Sequence, residues 1–242
     1  MCFHLALTKT VPEIEMAYQA IFENREAFAP IYHGNGFLRI SWPVISNDMP
    51  SRIRFFQWGL IPKWVRAPEK AEKIQLRTLN ARVETVLEKP AFREAVRNRC
   101  LIPVTGFFEW MPIGKKKYPM FFRKKDETLF SLAGIWETWV SPLNKEKIWT
   151  FSILTAPGRG ALEGCHWIPP RMPVILSQSH EKEWLFGHVP VEALSNLVQI
   201  DDSFVGYPVN KLLFQNPEYF MRPEVQSPEE DGQSSSWTLL MK

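Results

Sequence analysis

At 242 residues, with 45% apolar and 23% charged positions, the chain is long enough to bury a core as one domain or at most two small ones. No apolar run reaches the roughly 18–20 residues of a membrane span, and no secretory leader is readable. Three cysteines with no CxxC pair argue against a disulfide framework and against structural zinc, so a reducing cytoplasm is the expected home. The net charge of +3 is uneven. Residues 223–242 carry a net −3 and leave +6 for the rest, a mild bias toward a polyanionic partner.

In chain order, residues 2–8 read as a short strand that would bury the terminus, and Pro12 to Glu26 as a helix with Ile14, Tyr18, Ile21 and Phe22 at helical spacing. Strands are expected over Phe37–Ile45 and Ile53–Trp58, separated by the Asn47-Asp48 turn. Trp58 to Trp64 reads as a turn, residues 65–79 as a polar surface loop, and Arg82–Leu87 and Pro90–Arg97 as two short helices. From Leu101 the chain turns β-rich over 101–111, 118–124, 129–139 and 147–155, with Gly114 and Asn144-Lys145 marking hairpins. A short helix over 157–166, a strand over Arg171–Leu176 and helices over 179–187 and 190–198 follow. Residues 223–242, rich in Ser, Glu, Gln and Pro, read as a disordered acidic tail after a 1–222 domain. The pattern predicts an α+β single domain on a mostly antiparallel, barrel-like curled sheet with flanking short helices.

Cys2 is the residue with the most distinctive chemistry. Once Met1 is removed, it carries an amine and a thiol on adjacent carbons, a 1,2-aminothiol that condenses with an aldehyde to an imine and then a thiazolidine. An N-terminal amine titrates near pH ~8 and a free thiol near ~8.5, so both have accessible nucleophilic forms. Taken alone, Cys2 is more often a small hydrophobe starting a strand, and partners elsewhere in the chain are needed to change that reading. Asn80-Ala81-Arg82-Val83-Glu84-Thr85 groups an amide, a guanidinium and a carboxylate that suit an amine and a phosphate, although spacing alone favours a helix cap at Asn80 with solvated charges behind it. Gly106-Phe107-Phe108-Glu109-Trp110 sets a carboxylate among aromatics, where burial would raise its pKa and suit it to acid–base work. His166 is a candidate proton carrier, although a lone histidine is more often structural. Cys2-x-His4 and Cys165-His166 lack zinc-site spacing, so no metal is expected, nor any cofactor.

Five blocks in this order resemble the SRAP (SOS response-associated peptidase) family. They are Met1-Cys2, Trp58-Gly59-Leu60-Ile61-Pro62, Asn80 to Thr85, Gly106 to Trp110, and Arg171-Met172-Pro173-Val174-Ile175-Leu176. The resemblance implies a sensor of abasic sites in single-stranded DNA that traps the sugar aldehyde as a thiazolidine on Cys2, acting as a monomer. It implies that Asn80 holds the terminal amine, that Glu109 opens the sugar and serves imine formation, and that His166 assists proton transfer. Arg82 and Arg171 would contact phosphates and Trp64 would stack where the strand bends. Here Pro169 stands where the family's usual histidine lies, with His166 three residues earlier, and position 4 is His where arginine is common. The Asn-x-x-Pro stretch common before the Trp-Gly block reads as Arg39-Ile40-Ser41-Trp42-Pro43. Two other readings stay open, a thiol peptidase using Cys2, for which no oxyanion-hole pattern is readable, and a non-catalytic reader of single-stranded DNA.

Overall fold

Two curled sheets take up the aromatic and branched stretches of the chain. The computed structural model describes residues 1–113, 116–158, 171–197 and 203–229. The strands of its first half are β1 (His4–Leu7), β2 (Ile21–Phe22), β3 (Ile31–Asn35), β4 (Ser41–Ser46), β5 (Arg52–Trp58), β6 (Asn80–Arg82) and β7 (Arg99–Val104). Those of the second half are β8 (Gly106–Ile113), β9 (Lys116–Lys124), β10 (Phe130–Val140), β11 (Lys147–Pro157), β12 (Arg171–Pro173), β13 (Ile175–Leu176) and β14 (Phe204–Pro208). The helices are short: α1 (Val11–Tyr18), α2 (Pro68–Gln75), α3 (Gln178–Leu185), α4 (Leu194–Leu197) and α5 (Lys211–Gln215).

The larger sheet runs β12-β11-β10-β7-β4-β5-β2, and a parallel pairing of β11 with β5, Thr150 opposite Gln57 and Phe151 opposite Trp58, closes its five central strands into a barrel. Closure removes the exposed edges that an open sheet of this length would carry. The smaller sheet runs β14-β9-β8-β1-β3 and places the N-terminal strand inside it, with Leu5 opposite Phe107 of β8 on one side and Gly34 of β3 on the other. This flanked position buries Cys2. The expected α+β domain on a barrel-like, mostly antiparallel sheet is what the chain forms.

Buried indoles link the layers. Trp42 donates through Nε1 to the carbonyl of Pro103 at 2.9 Å, and Trp58 to that of Leu79 at 2.9 Å. Each large apolar ring therefore enters the core without leaving its one donor unpaired. Gly59, after Trp58, has φ of +104°, and a Cβ there would overlap the backbone of Gln75. Gly59→Ala is expected to cost about 1–3 kcal/mol from strain and overpacking, seen as a lower urea midpoint with unchanged slope.

Local structure departs from the sequence reading at definite places. The helix expected to Glu26 stops at Gln19, whose φ of 52° is left-handed, and the chain then pairs Phe22 with Ile53 in β2. Phe37–Leu38 form a 3-10 turn instead of a strand start, and Arg39 follows at φ 53°. The polar stretch 65–79 holds α2, opened by Pro68 at its first turn and burying Ala71 and Gln75. Arg82–Leu87 and Pro90–Arg97 are turns rather than helices, with Asn80–Arg82 paired in parallel to β11 and a 3-10 turn at Ala95–Arg97. Residues 223–229, read as the start of the tail, lie against the small sheet. Pro223–Gln226 form a 3-10 turn, Val225 is buried, and Gln226 donates to the carbonyl of Tyr32 at 2.7 Å. Among the described residues no helix is long and apolar enough to cross a membrane.

Candidate functional site

The site forms where β1 enters the smaller sheet beside β8. Register pairs His4 with Phe108 and Leu5 with Phe107, which brings the terminus alongside Glu109. Cys2 and Glu109 are buried. The amine of Met1 contacts Glu109 Oε1 at 3.0 Å, and that oxygen has no other partner among the described residues. β6 supplies the third member. Asn80 Nδ2 donates to the carbonyl oxygen of Cys2 at 2.8 Å, while its Oδ1 is buried without a partner. A buried, unsatisfied amide oxygen is costly and uncommon, and here it lies on a side chain already fixed against Cys2.

Burial sets the electrostatics. Removal from water pushes the Cys2 thiol well above its usual range, and the neighbouring Glu109 carboxylate pushes the same way against the opposing terminal amine. The thiol donates weakly to the carbonyl of His4 at 3.8 Å. Burial also raises Glu109, opposed by the terminal amine and the Trp110 backbone N–H. A carboxyl so placed exchanges protons nearer neutrality than an exposed one. Burial thus favours the thiol form of Cys2, beside a carboxyl whose own pKa burial raises.

Outside this buried group lies a groove of about 480 Å³, lined by Met1, Asn80, Arg82, Trp64 and Phe92 among others. Trp64 is 47% exposed, and its Nε1 donates to the carbonyl of Pro90 at 3.3 Å. The structure therefore brings Cys2, Asn80 and Glu109 together, and of this group Asn80, with Met1, reaches the groove lined by Trp64 and Arg82. His166 lies outside the described residues.

Arg171 has different surroundings from those expected of a phosphate contact. It is buried, its two terminal nitrogens meet Glu84 at 2.9 and 2.8 Å, and one of them also donates to the carbonyl of Thr155 at 2.7 Å. The fork that makes arginine a good phosphate ligand is occupied by an internal carboxylate. The pair ties β12 to the turn that follows Arg82.

Among the described residues no group of three or more His, Cys, Asp or Glu is placed to hold a metal ion. The orphaned acceptor of Asn80 and the groove cations Arg77 and Lys89 carried no sequence signal. Their placement depends on contacts between segments far apart in the chain.

The sequence matches the model of the family described as SOS response associated peptidase (SRAP) over residues 1–216. It is 41% identical over 144 residues to the abasic site processing protein YoaM of Bacillus subtilis, a stretch covering 59% of this chain and 60% of that protein. It is 30% identical over 236 residues to the chicken abasic site processing protein HMCES, covering 86% of this chain and 69% of the relative. A crystal structure of a protein from Bacteroides thetaiotaomicron superposes with a TM-score of 0.85 at 31% identity, covering 94% of this chain and all of that one. A Bordetella bronchiseptica protein shares the fold at a TM-score of 0.74 and 24% identity, covering 86% of this chain and all of that one.

Proposed function

Because this chain belongs to the SRAP family, we propose that it processes abasic sites in single-stranded DNA by forming a thiazolidine between the sugar aldehyde and Cys2 after loss of Met1. The observation that carries this reading is the pair of buried oxygens beside the terminus, Glu109 Oε1 at 3.0 Å from the Met1 amine and the unpartnered Oδ1 of Asn80, whose Nδ2 holds the Cys2 carbonyl. Both are suited to an ammonium or amine, and both stand beside the only residue that can offer amine and thiol together. The relatives named abasic site processing proteins support the same substrate.

The steps balance as a loss of one water. Glu109 gives a proton to the ring oxygen as the closed sugar opens and takes one back from the hydroxyl that becomes the aldehyde. The Cys2 amine attacks the aldehyde carbon, the resulting carbinolamine expels its oxygen as water with a proton from Glu109, and Glu109 recovers a proton from the nitrogen, leaving an imine. The thiol then adds across the C=N bond, sulfur to carbon and hydrogen to nitrogen. Holding both nucleophiles on one residue makes this last step intramolecular. Asn80 fixes the Cys2 carbonyl and accepts from the amine, while His166 assists proton transfer. Arg82 contacts a flanking phosphate and Trp64 stacks on an unpaired base. Arg171 acts from behind, bracing Glu84 and so the turn that follows Arg82.

A protein with an uncleavable extension before Cys2 tests this reading. It lacks the free amine and is expected to form no heat-stable species with an oligonucleotide bearing one abasic site, whereas the processed protein forms one. Asn80→Ala, which removes both contacts, is expected to slow the crosslink about 10-fold or more in a single-turnover gel assay, since a lost buried hydrogen bond to a reacting group is worth about 1.5–3 kcal/mol. Equal rates for Asn80→Ala and the unaltered protein would remove the amide from the account.

A second reading rests on the same ion pair. Glu109 lies beside the residue that must leave, so the minimal peptidase activity of this site is release of its own Met1. That reading expects Glu109→Gln to retain Met1 by intact mass when produced without a methionine aminopeptidase.

A further inference from the structure

The groove beside the terminus carries more positive charge than the assigned residues account for. Arg77 comes from the segment joining α2 to β6, and Lys89 from the turns after β6, where its backbone N–H donates to the carbonyl of Thr85 at 3.0 Å. Both line the groove with Arg82, and no Asp or Glu does. All three are exposed, and none is in an ion pair among the described residues. Cations nearby in sequence behave differently, since Lys63 is paired with Glu94 at 3.3 Å and Arg39 with Glu72 at 3.6 Å. The protein thus neutralises these two cations with carboxylates and leaves Arg77 and Lys89 unpaired among the described residues, while Arg82 shares the field of Glu84 with Arg171. Three like charges converging on one groove repel each other, a cost that a polyanion removes on binding. The apolar part of the lining, Trp64, Pro90 and Phe92, offers stacking area with little capacity to read base edges.

We propose that Arg77 and Lys89 are backbone-binding residues which, with Arg82, hold successive phosphates of a single DNA strand beside the lesion, so that the groove recognises charge and strand rather than sequence. This rests on the abasic-site reading above. Each contact releases condensed counterions, so the logarithm of the binding constant falls with the logarithm of salt by about 0.7 per phosphate neutralised on a single strand.

The test is a salt titration of binding, by fluorescence anisotropy, to a single-stranded oligonucleotide carrying one tetrahydrofuran abasic analogue, which cannot open to an aldehyde and so reports binding alone. Arg77→Ala and Lys89→Ala are each expected to flatten the slope by about 0.7, and the double variant by about 1.4. Arg77→Lys, which keeps the charge, is expected to restore the slope, and Lys63→Ala, outside the groove, to leave it unchanged. The losses are expected to be equal on thymine-rich and adenine-rich strands. A double variant with the unaltered protein's slope would overturn the proposal. If the unaltered protein still crosslinked a true abasic site in that case, the abasic-site reading would stand without these two residues. A protein that neither binds the analogue nor crosslinks the true site would overturn both.

Discussion

Cys2→Ala is expected to abolish the heat-stable adduct with abasic single-stranded DNA, and Cys2→Ser to leave only an imine. The two variants separate the two nucleophiles. Alanine keeps the terminal amine and removes the sulfur, so any covalent species it forms must be an imine that hydrolyses on heating and is captured only by borohydride. Serine offers a hydroxyl, a far weaker nucleophile toward an imine carbon, and so behaves like alanine under these conditions. Cys2 is buried in the core beside Leu5 and Leu7, so the loss of its sulfur also removes apolar contacts. That stability effect is small against a total loss of adduct, because a substitution of this size costs about 1–2 kcal/mol. A thermal melt of each variant beside the crosslinking assay keeps the two effects apart.

Glu109→Gln is expected to reduce the crosslinking rate by about 10²–10⁴, the usual contribution of a positioned general acid–base group. The pH dependence follows from the direction of its shift. Burial raises the folded pKa of Glu109 above its unfolded value, so its protonated form persists to higher pH than in an exposed carboxyl. The rate through this acid falls as pH rises through the folded pKa, and Glu109→Gln removes that limb of the profile. Stability has the same sign. A carboxyl with a raised folded pKa contributes stability that is fully present below the unfolded value and is lost as pH rises through the folded one. Above its folded pKa the ionised, buried carboxyl is therefore a burden that glutamine does not carry, offset by the lost attraction to the amine. A Glu109→Gln protein with an unchanged or higher melting temperature at neutral pH and a large loss of rate identifies a group acting in the chemistry. A parallel loss of both would make Glu109 a structural residue.

The sequence made the β-rich half legible because its signal is local. The run from Leu101 to Thr155 is dense in apolar and aromatic positions, and β9, β10 and β11 lie there with small changes of boundary, whereas the single stretch expected over 101–111 divides at Thr105 into β7 and β8, which join different sheets. The elements misread are those whose fate was decided by contacts between distant segments. α2 presents Glu69, Lys70, Glu72 and Lys73 to solvent and buries only Ala71 and Gln75, so its apolar period is too weak to distinguish it from a loop. Gln19 and Arg39 take left-handed backbone that nothing in their side chains requires, and each ends an element that propensity would have continued. β3 was missed because Gly34 and Asn35 look like turn residues, although Gly34 packs where a Cβ would meet the ring of Trp42.

The site divides in the same way. Cys2, Asn80 and Glu109 gained their roles from the family resemblance rather than from their own blocks, and only the register of β1 against β8 and the bond from Asn80 to Cys2 bring the blocks within reach of one another. Arg171 looked like a free guanidinium because its partner, Glu84, stands 87 residues away. Of the cations that line the groove, Arg77 and Lys89 are indistinguishable in sequence from the rest of the chain's lysines and arginines. What sets them apart is the absence of an acid in the same lining.

Intact mass of the purified protein, before and after mixing with a single-stranded oligonucleotide carrying one abasic site, tests the central claim most directly. The account predicts a starting mass lacking methionine, then a heat-stable product equal to protein plus oligonucleotide less one water, with the modification on Cys2. A protein that lacks Met1, binds the strand and yields no such product would contradict it.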